Sequence, residues 1–172
     1  MPIIIMIIIA IEVTIIIFLL GYNVHTNRNL EQAKKSKKRN LSNILFVRKR
    51  AETILDFIGE NEIAGVYINF PDPWEGEEKK RVINESLFAR LDIVMKSGGV
   101  LFFKTDHEQY YEDVLELVDR LANYETVYHT RDLHNSEKSD ENIKTEFEEM
   151  FLSKHSMNIK YIEIKKLNKN LN

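Results

Sequence analysis

The sequence predicts an α/β protein: a mostly parallel β-sheet with helices packed on it and an antiparallel edge. Three observations predict this. Short apolar runs at 44–47, 63–69 and 100–104 alternate with stretches of helical spacing. The run 63–68 is apolar throughout, which reads as a strand covered on both faces. The last two strand-like runs, 124–130 and 158–164, are joined by a polar loop and one short helix, which suits an antiparallel edge pair.

Composition sets outer bounds. The chain has 172 residues, 44% hydrophobic and 30% charged, enough apolar material for a buried core. Its net charge of −3 gives no global sign of a nucleic-acid binder. The distribution is less even: Arg28, Lys34, Lys35, Lys37, Lys38, Arg39, Arg48, Lys49 and Arg50 face a single acid, Glu31. Such a field attracts phosphates, although a charge run is more often a solvated helix face. No cysteine is present, which excludes disulfides, thiolate nucleophiles and cysteine metal sites. His25, His107, His129, His134 and His155 show no ligand spacing, so no metal is expected.

Residues 3–20 form an isoleucine-rich run interrupted by Glu12 and Thr14. Three readings compete. A membrane anchor needs ~20 apolar residues and would place Glu12 near the bilayer centre at a cost of ~2.5–3.5 kcal/mol. A signal peptide would need a basic leader and a small-residue cleavage site, and neither is evident. Two buried strands, 3–9 and 14–20, suit the β-branched composition and are favoured. The expected organisation is an apolar segment at 1–20, a domain at 21–166 and a tail at 167–172, with a cytoplasmic location.

The remaining elements follow in order. Residues 21–26 read as a turn, 29–38 as a basic helix, 44–47 as a strand and 51–58 as a helix burying Ile54, Leu55 and Ile58. The strand 63–69 runs into a stiff loop, and the charged stretch 77–81 is expected at the surface. Asn84 or Glu85 opens a helix through Met95, which Gly98-Gly99 stops before a strand at 100–104. Residues 107–121 read as a helix burying Tyr111, Val114, Leu115, Leu117 and Val118. The polar stretch 132–142 is expected to be a mobile loop, and 145–152 a short helix. In the strand 158–164, Ile159 and Tyr161 share one face and Ile162 and Ile164 the other, with Lys160 and Glu163 reaching solvent.

Chemistry is expected where strands end. Asn69-Phe70-Pro71-Asp72-Pro73-Trp74 holds a carboxylate between two prolines that forbid strand or helix continuation. Asp72 thus sits at the carboxyl end of a central strand, where open α/β sheets bind ligands. Thr105-Asp106 ends the next strand, with Asp106 also a candidate helix cap. Thr145-Glu146-Phe147-Glu148 has the spacing of a capping box.

Those three clusters, in this order and with Gly98-Gly99 and Tyr110-Tyr111 between them, resemble the bacterial tRNA (guanine-N7)-methyltransferase family over residues 21–166. The resemblance implies a Rossmann-like, S-adenosylmethionine-dependent methyltransferase fold acting on tRNA. It implies that Asp72 is the catalytic aspartate beside the cofactor's methyl group. It also implies that Asp106 binds the tRNA substrate and that Thr145, Glu146, Phe147 and Glu148 grip the target guanosine. Trp74, Tyr110 or Tyr111 would be available to stack on an extruded base, with core packing the stronger reading for Tyr111. The basic stretch 34–50 would meet tRNA phosphates.

The sequence departs from that family on the cofactor side. No glycine precedes Gly21, so the glycine-rich turn after the first strand is missing and the N-terminal part of the fold is incomplete. Asn23 and Arg50 stand where the family has acidic cofactor-binding residues. Gly76 stands where it has a substrate-contacting lysine, with Lys79 and Lys80 nearby as substitutes. A truncated or misread gene product fits this pattern, and so does a tRNA-binding remnant that has lost its cofactor.

Overall fold

A computed structural model describes residues 4–11, 14–20, 34, 37–40, 44, 50–145, 148–149 and 158–168, the first two ranges as backbone. Its strands are β1 (Ile4–Ile11), β2 (Thr14–Leu20), β3 (Ile63–Asn69), β4 (Met95–Thr105), β5 (Tyr124–Thr130) and β6 (Lys160–Lys166). The helices are α1 (Glu85–Val94) and α2 (Glu108–Asp119). One six-stranded sheet results, in the order β2-β1-β3-β4-β6-β5.

The α/β class and the antiparallel edge agree with the sequence, but the sheet is not mostly parallel. Among the described strands only β3 and β4 pair parallel; β1–β2, β1–β3, β4–β6 and β5–β6 are antiparallel. The reason at the amino-terminal side is chain length. Only Glu12 and Val13 separate β1 from β2, and a parallel connection needs a dozen residues or more. At the other side, β6 inserts between β4 and β5 and opposes both.

Helix α1 starts where Asn84 caps it, its Oδ1 accepting from the Leu87 amide at 3.0 Å. Leu87, Phe88, Leu91 and Val94 form its buried stripe. The helix ends before Met95, and β4 begins at once. Gly98 and Gly99 therefore lie inside β4 rather than at a helix end. At Gly99 a Cβ would meet the Met95 side chain at 2.7 Å and the Lys96 carbonyl at 2.9 Å, so no larger residue fits. Helix α2 is capped by His107, not Asp106: its Nδ1 accepts from the Tyr110 amide at 3.0 Å.

Both helices pack on the same sheet face, against Val66, Ile68, Leu101, Phe103, Ile162 and Ile164. Among the described residues neither α-helix covers the other face. Successive right-handed crossovers, β3-α1-β4 and β4-α2-β5, advance the same way across the sheet and so leave both helices on one side. The opposite face carries a smaller cluster of Phe70, Leu133, Ile159 and Tyr161. Strand β6 divides as its alternation predicts, Ile159 and Tyr161 on this face and Ile162 and Ile164 on the other.

Three local expectations change. Lys160 is buried, because its ammonium donates to the Asp106 carbonyl at 3.0 Å and pairs with Glu108 at 3.2 Å. Residues 51–56 form a 3-10 helix whose tighter turn buries Ile54 and leaves Leu55 exposed. Loop 132–142 is anchored by the buried Leu133, whose amide donates to Ile159 at 2.8 Å. The expected turn at 21–26 lies outside the described residues, as do nearly all of the helix at 29–38, the strand at 44–47 and the helix at 145–152. No described helix is long and apolar enough to cross a membrane.

Candidate active site

The parallel pair β3–β4 positions the site. Its register sets Asn69 beside Lys104, and the Phe70 amide continues the ladder to the Lys104 carbonyl at 2.8 Å. The Asp72 loop and Thr105-Asp106 therefore leave the sheet at the same end, from neighbouring strands, as the sequence predicts.

The Asp72 loop is held in an unusual backbone. Phe70 and Trp74 have φ of 51° and 46°, the left-handed region that bulky residues avoid. Each such residue costs about 1–2 kcal/mol, and strain of this kind concentrates at functional sites. For Phe70 the packing shows why. Strand alternation would put it with Val66 and Ile68 on the helix face; the left-handed turn sends its ring to the opposite cluster instead. Between these two residues Pro71, Asp72 and Pro73 have little freedom left, and Asp72 is half-buried.

Two further contacts fasten this loop. Arg81 is 5% exposed, its Nε donating to the Pro73 carbonyl at 2.6 Å and its Nη1 pairing with Asp113 on α2. The same guanidinium lies 4.6 Å from the centre of the Tyr110 ring. The expectation that 77–81 is all exposed thus fails at Arg81, which had looked like one more charge in a charged run. Next, Glu75 accepts from His107 Nε2 at 2.9 Å. Because His107 Nδ1 accepts from a backbone amide, the proton resides on Nε2. The loop bearing Asp72 is thereby tied to the residue that follows Asp106.

The third cluster closes on the end of β4. Thr145 and Glu148 form the capping box that their spacing predicts: Glu148 Oε2 accepts from the Thr145 amide at 2.8 Å, and Thr145 Oγ1 from the Glu148 amide at 3.1 Å. Glu148 is fully buried and meets the Lys104 ammonium at 3.1 Å. Asn142 and His134 also reach its Oε1, at 3.1 and 3.3 Å. Burial alone would raise the Glu148 pKa, but the Thr145 amide and Lys104 reverse this and hold it below the usual carboxylate value. Burial lowers the Lys104 pKa against the pull of Glu148. Lys104, Asn142, His134 and Arg81 were not singled out from sequence. The available signal for Lys104 was a lysine at the buried end of the otherwise apolar run 100–103.

Other expected residues are placed as follows. Asp106 is half-buried, and among the described residues its carboxylate takes part in no ion pair. The Asn69 carboxamide oxygen is buried and meets no hydrogen-bond donor among the described residues, an acceptor that a bound N–H group would satisfy. Trp74 is half-buried, with the Lys80 ammonium 5.0 Å from its ring centre. Tyr110 and Tyr111 are both fully packed in the core, so neither is open to a base. Gly76 is exposed at φ 75°, its amide donating to Glu78 at 2.8 Å, and supplies no side-chain contact. Glu146, Phe147 and Asn23 lie outside the described residues, as does most of the basic stretch 34–50.

The cofactor side does not match the arrangement expected for S-adenosylmethionine. Strand β1 opposes β3 with Ile4 beside Asn69, so its carboxyl end lies at the far end of the sheet from Asp72. A glycine turn after a first strand would have to sit at the Asp72 end. Strand β2 does point that way, since it opposes β1 in turn. Arg50 is exposed and paired with Glu52 through two 3.1 Å contacts. The described residues do not complete a cradle for the cofactor. Among them, no group of three His, Asp or Glu side chains could hold a metal.

Comparison with known proteins identifies the family. A family model described as "Putative methyltransferase" matches residues 16–161. A bifunctional glycosyltransferase/methyltransferase of Fusobacterium nucleatum is 60% identical over 148 residues, covering 86% of this chain and 23% of that protein. A tRNA (guanine-N(7)-)-methyltransferase of Clostridium perfringens is 37% identical over 145 residues, covering 81% and 64%. The chain therefore spans less than two thirds of either relative. Among solved structures, an rRNA methylase from Streptococcus thermophilus superposes with a TM-score of 0.55 at 13% identity, covering 88% of this chain and 73% of that one. That likeness establishes a shared Rossmann-like methyltransferase fold.

Proposed function

Because the chain belongs to the methyltransferase family whose model spans residues 16–161, we propose that it acts on tRNA. In this reading it serves the transfer of a methyl group from S-adenosylmethionine to N7 of a guanine. The observation that carries the reading is the joining of two acidic loops at one end of the sheet. The Asp72 loop and Asp106 leave adjacent parallel strands and are tied through Glu75 and His107 at 2.9 Å.

The chemistry needs little beyond this. Guanine N7 carries a free lone pair, so no strong base is required; the task is orientation. The purine becomes positive as it is methylated, and a fixed carboxylate such as Asp72 stabilises that charge. The Watson–Crick edge of guanine offers N1–H and N2–H donors, and Asp106 is the carboxylate available to accept them. In this arrangement Glu148 holds its own segment rather than a base, since both its oxygens are already engaged. In this reading the methyltransferase unit takes in residues 16–161, the span of the family model, and tRNA as substrate implies a cytoplasmic setting.

A second reading is favoured by one observation, the reversed direction of β1. On that reading the chain keeps the tRNA-facing half and binds no cofactor of its own. Calorimetric titration with S-adenosylmethionine and with tRNA, followed by mass spectrometry of digested tRNA, separates the two. Binding of both and appearance of 7-methylguanosine supports the enzyme. Binding of tRNA alone supports the remnant, and binding of neither removes both.

A further inference from the structure

We propose that Lys104 is the positioning residue of the proposed guanosine-binding segment, its ammonium fixing Glu148 and the 142–143 stretch against the end of β4. This inference deepens the reading above and rests on it.

Lys104 sits where three parts of the site converge. Its carbonyl accepts from Phe70, the entry to the Asp72 loop, at 2.8 Å. In sequence it is followed directly by Thr105 and Asp106. Its side chain crosses to a part of the chain about forty residues away, donating to Asn142 Oδ1, to the Ile143 carbonyl at 3.1 Å and to Glu148 at 3.1 Å. An ammonium has three N–H donors, and these contacts use all three.

The partner is equally committed. Glu148 Oε2 takes Lys104 and the Thr145 amide; Oε1 takes Asn142 and His134. Asn142 closes the ring, accepting from Lys104 and donating to Glu148. Lys104 is 6% exposed and Glu148 0%.

A buried ion pair is a poor means of stabilising a fold, since apolar residues of equal volume often do as well. What it does well is impose one arrangement, because either charge left alone is strongly disfavoured. Here the arrangement imposed is the placement of Thr145, through its hydrogen bonds with Glu148, against the Lys104 ammonium at the end of β4. Ile143, whose carbonyl Lys104 holds, keeps its own side chain 84% exposed. Among the described residues of the segment, the grip comes from polar contacts and not from burial of the Ile143 side chain.

The test compares wild type with Lys104→Met, Lys104→Arg and the neutral pair Lys104→Met/Glu148→Gln. Amide hydrogen exchange over 142–149 and affinity for a tRNA transcript are read together. The expected result for Lys104→Met is exchange at 142–149 faster by at least about tenfold, with β3, β4 and β6 unchanged, and tRNA affinity weakened by a similar factor. Lys104→Arg restores part of both. If Lys104→Met fails to fold, the neutral pair is read instead: lost tRNA affinity supports the proposal and retained affinity overturns it. Equal tRNA binding by wild type and Lys104→Met overturns the Lys104 proposal alone. A wild-type chain that binds no tRNA overturns the functional reading and, with it, the guanosine role of the segment.

Discussion

The Arg81 guanidinium donates to the carbonyl oxygen of Pro73 at 2.6 Å while its other end pairs with Asp113 on α2. One side chain thus welds the carbonyl next to Asp72 to a helix that begins just after Asp106. Replacing Arg81 by Met leaves the Pro73 carbonyl without this donor, while Asp113, 37% exposed, can turn to water. The expected cost is about 1–3 kcal/mol, the loss of a buried partner moderated by that exposure. Urea unfolding measures it, and an unchanged midpoint would show that the tether is dispensable.

Asp72→Asn keeps the shape of the loop and removes its charge. Methyl transfer to tRNA is expected to fall about 100- to 1000-fold, the usual effect of losing one fixed group that faces developing charge. Affinity for tRNA should remain that of wild type. Single-turnover assays alongside filter binding read the two separately, and full activity in the variant would remove Asp72 from the chemistry.

Acid should release the segment at 142–149 before the sheet. The Glu148 pKa is lowered on folding from an ordinary 4.5. A carboxylate depressed in this way contributes stability that is complete above pH 4.5 and is lost as pH falls through the folded value. Asp113, which pairs with Arg81, and Glu108, held by Arg131, shift in the same direction, so the whole fold weakens in that window. Glu148→Gln should abolish only the local component, seen as exchange at 142–149 corrected for its intrinsic pH dependence.

Gly99→Ala tests the close approach of β3 and the first residues of β4 to Gly99. The added methyl would press on the Met95 side chain and on the Lys96 and Ala64 carbonyls, at 2.7, 2.9 and 3.1 Å. Two of these are backbone and cannot yield cheaply, so a loss of about 1–3 kcal/mol is expected. Gly98, at φ 77° with open space around it, should suffer from strain alone. Thermal melts of the two variants rank these effects.

Much of the framework was legible because local pattern and tertiary role agree. The runs at 63–69 and 124–130 are strands with those same bounds. The Asn84 cap, the Thr145/Glu148 box and the sharing of β6 between two faces follow from side-chain spacing. What was not legible depends on partners distant in sequence. Lys104 read as the last residue of the strand 100–104 and Lys160 as a solvent-facing strand residue, and only the returning chain reveals that both are buried. Tyr110 looked free to stack on a base until Arg81 and the Ile83 amide took its ring and hydroxyl. Strand direction was misjudged for a plainer reason: the two-residue link between β1 and β2 was in the sequence, and it dictates a hairpin.

That hairpin has a practical outcome for anyone handling the chain. It leaves β2, Thr-Ile-Ile-Ile-Phe-Leu-Leu, as the terminal strand of the described sheet, with β1 on one side and no described strand on the other. A long, uncharged, β-branched border of this kind is a template for another copy's backbone. Self-association through this border should grow with protein concentration, and a lysine placed mid-strand, as in Ile16→Lys, should suppress it.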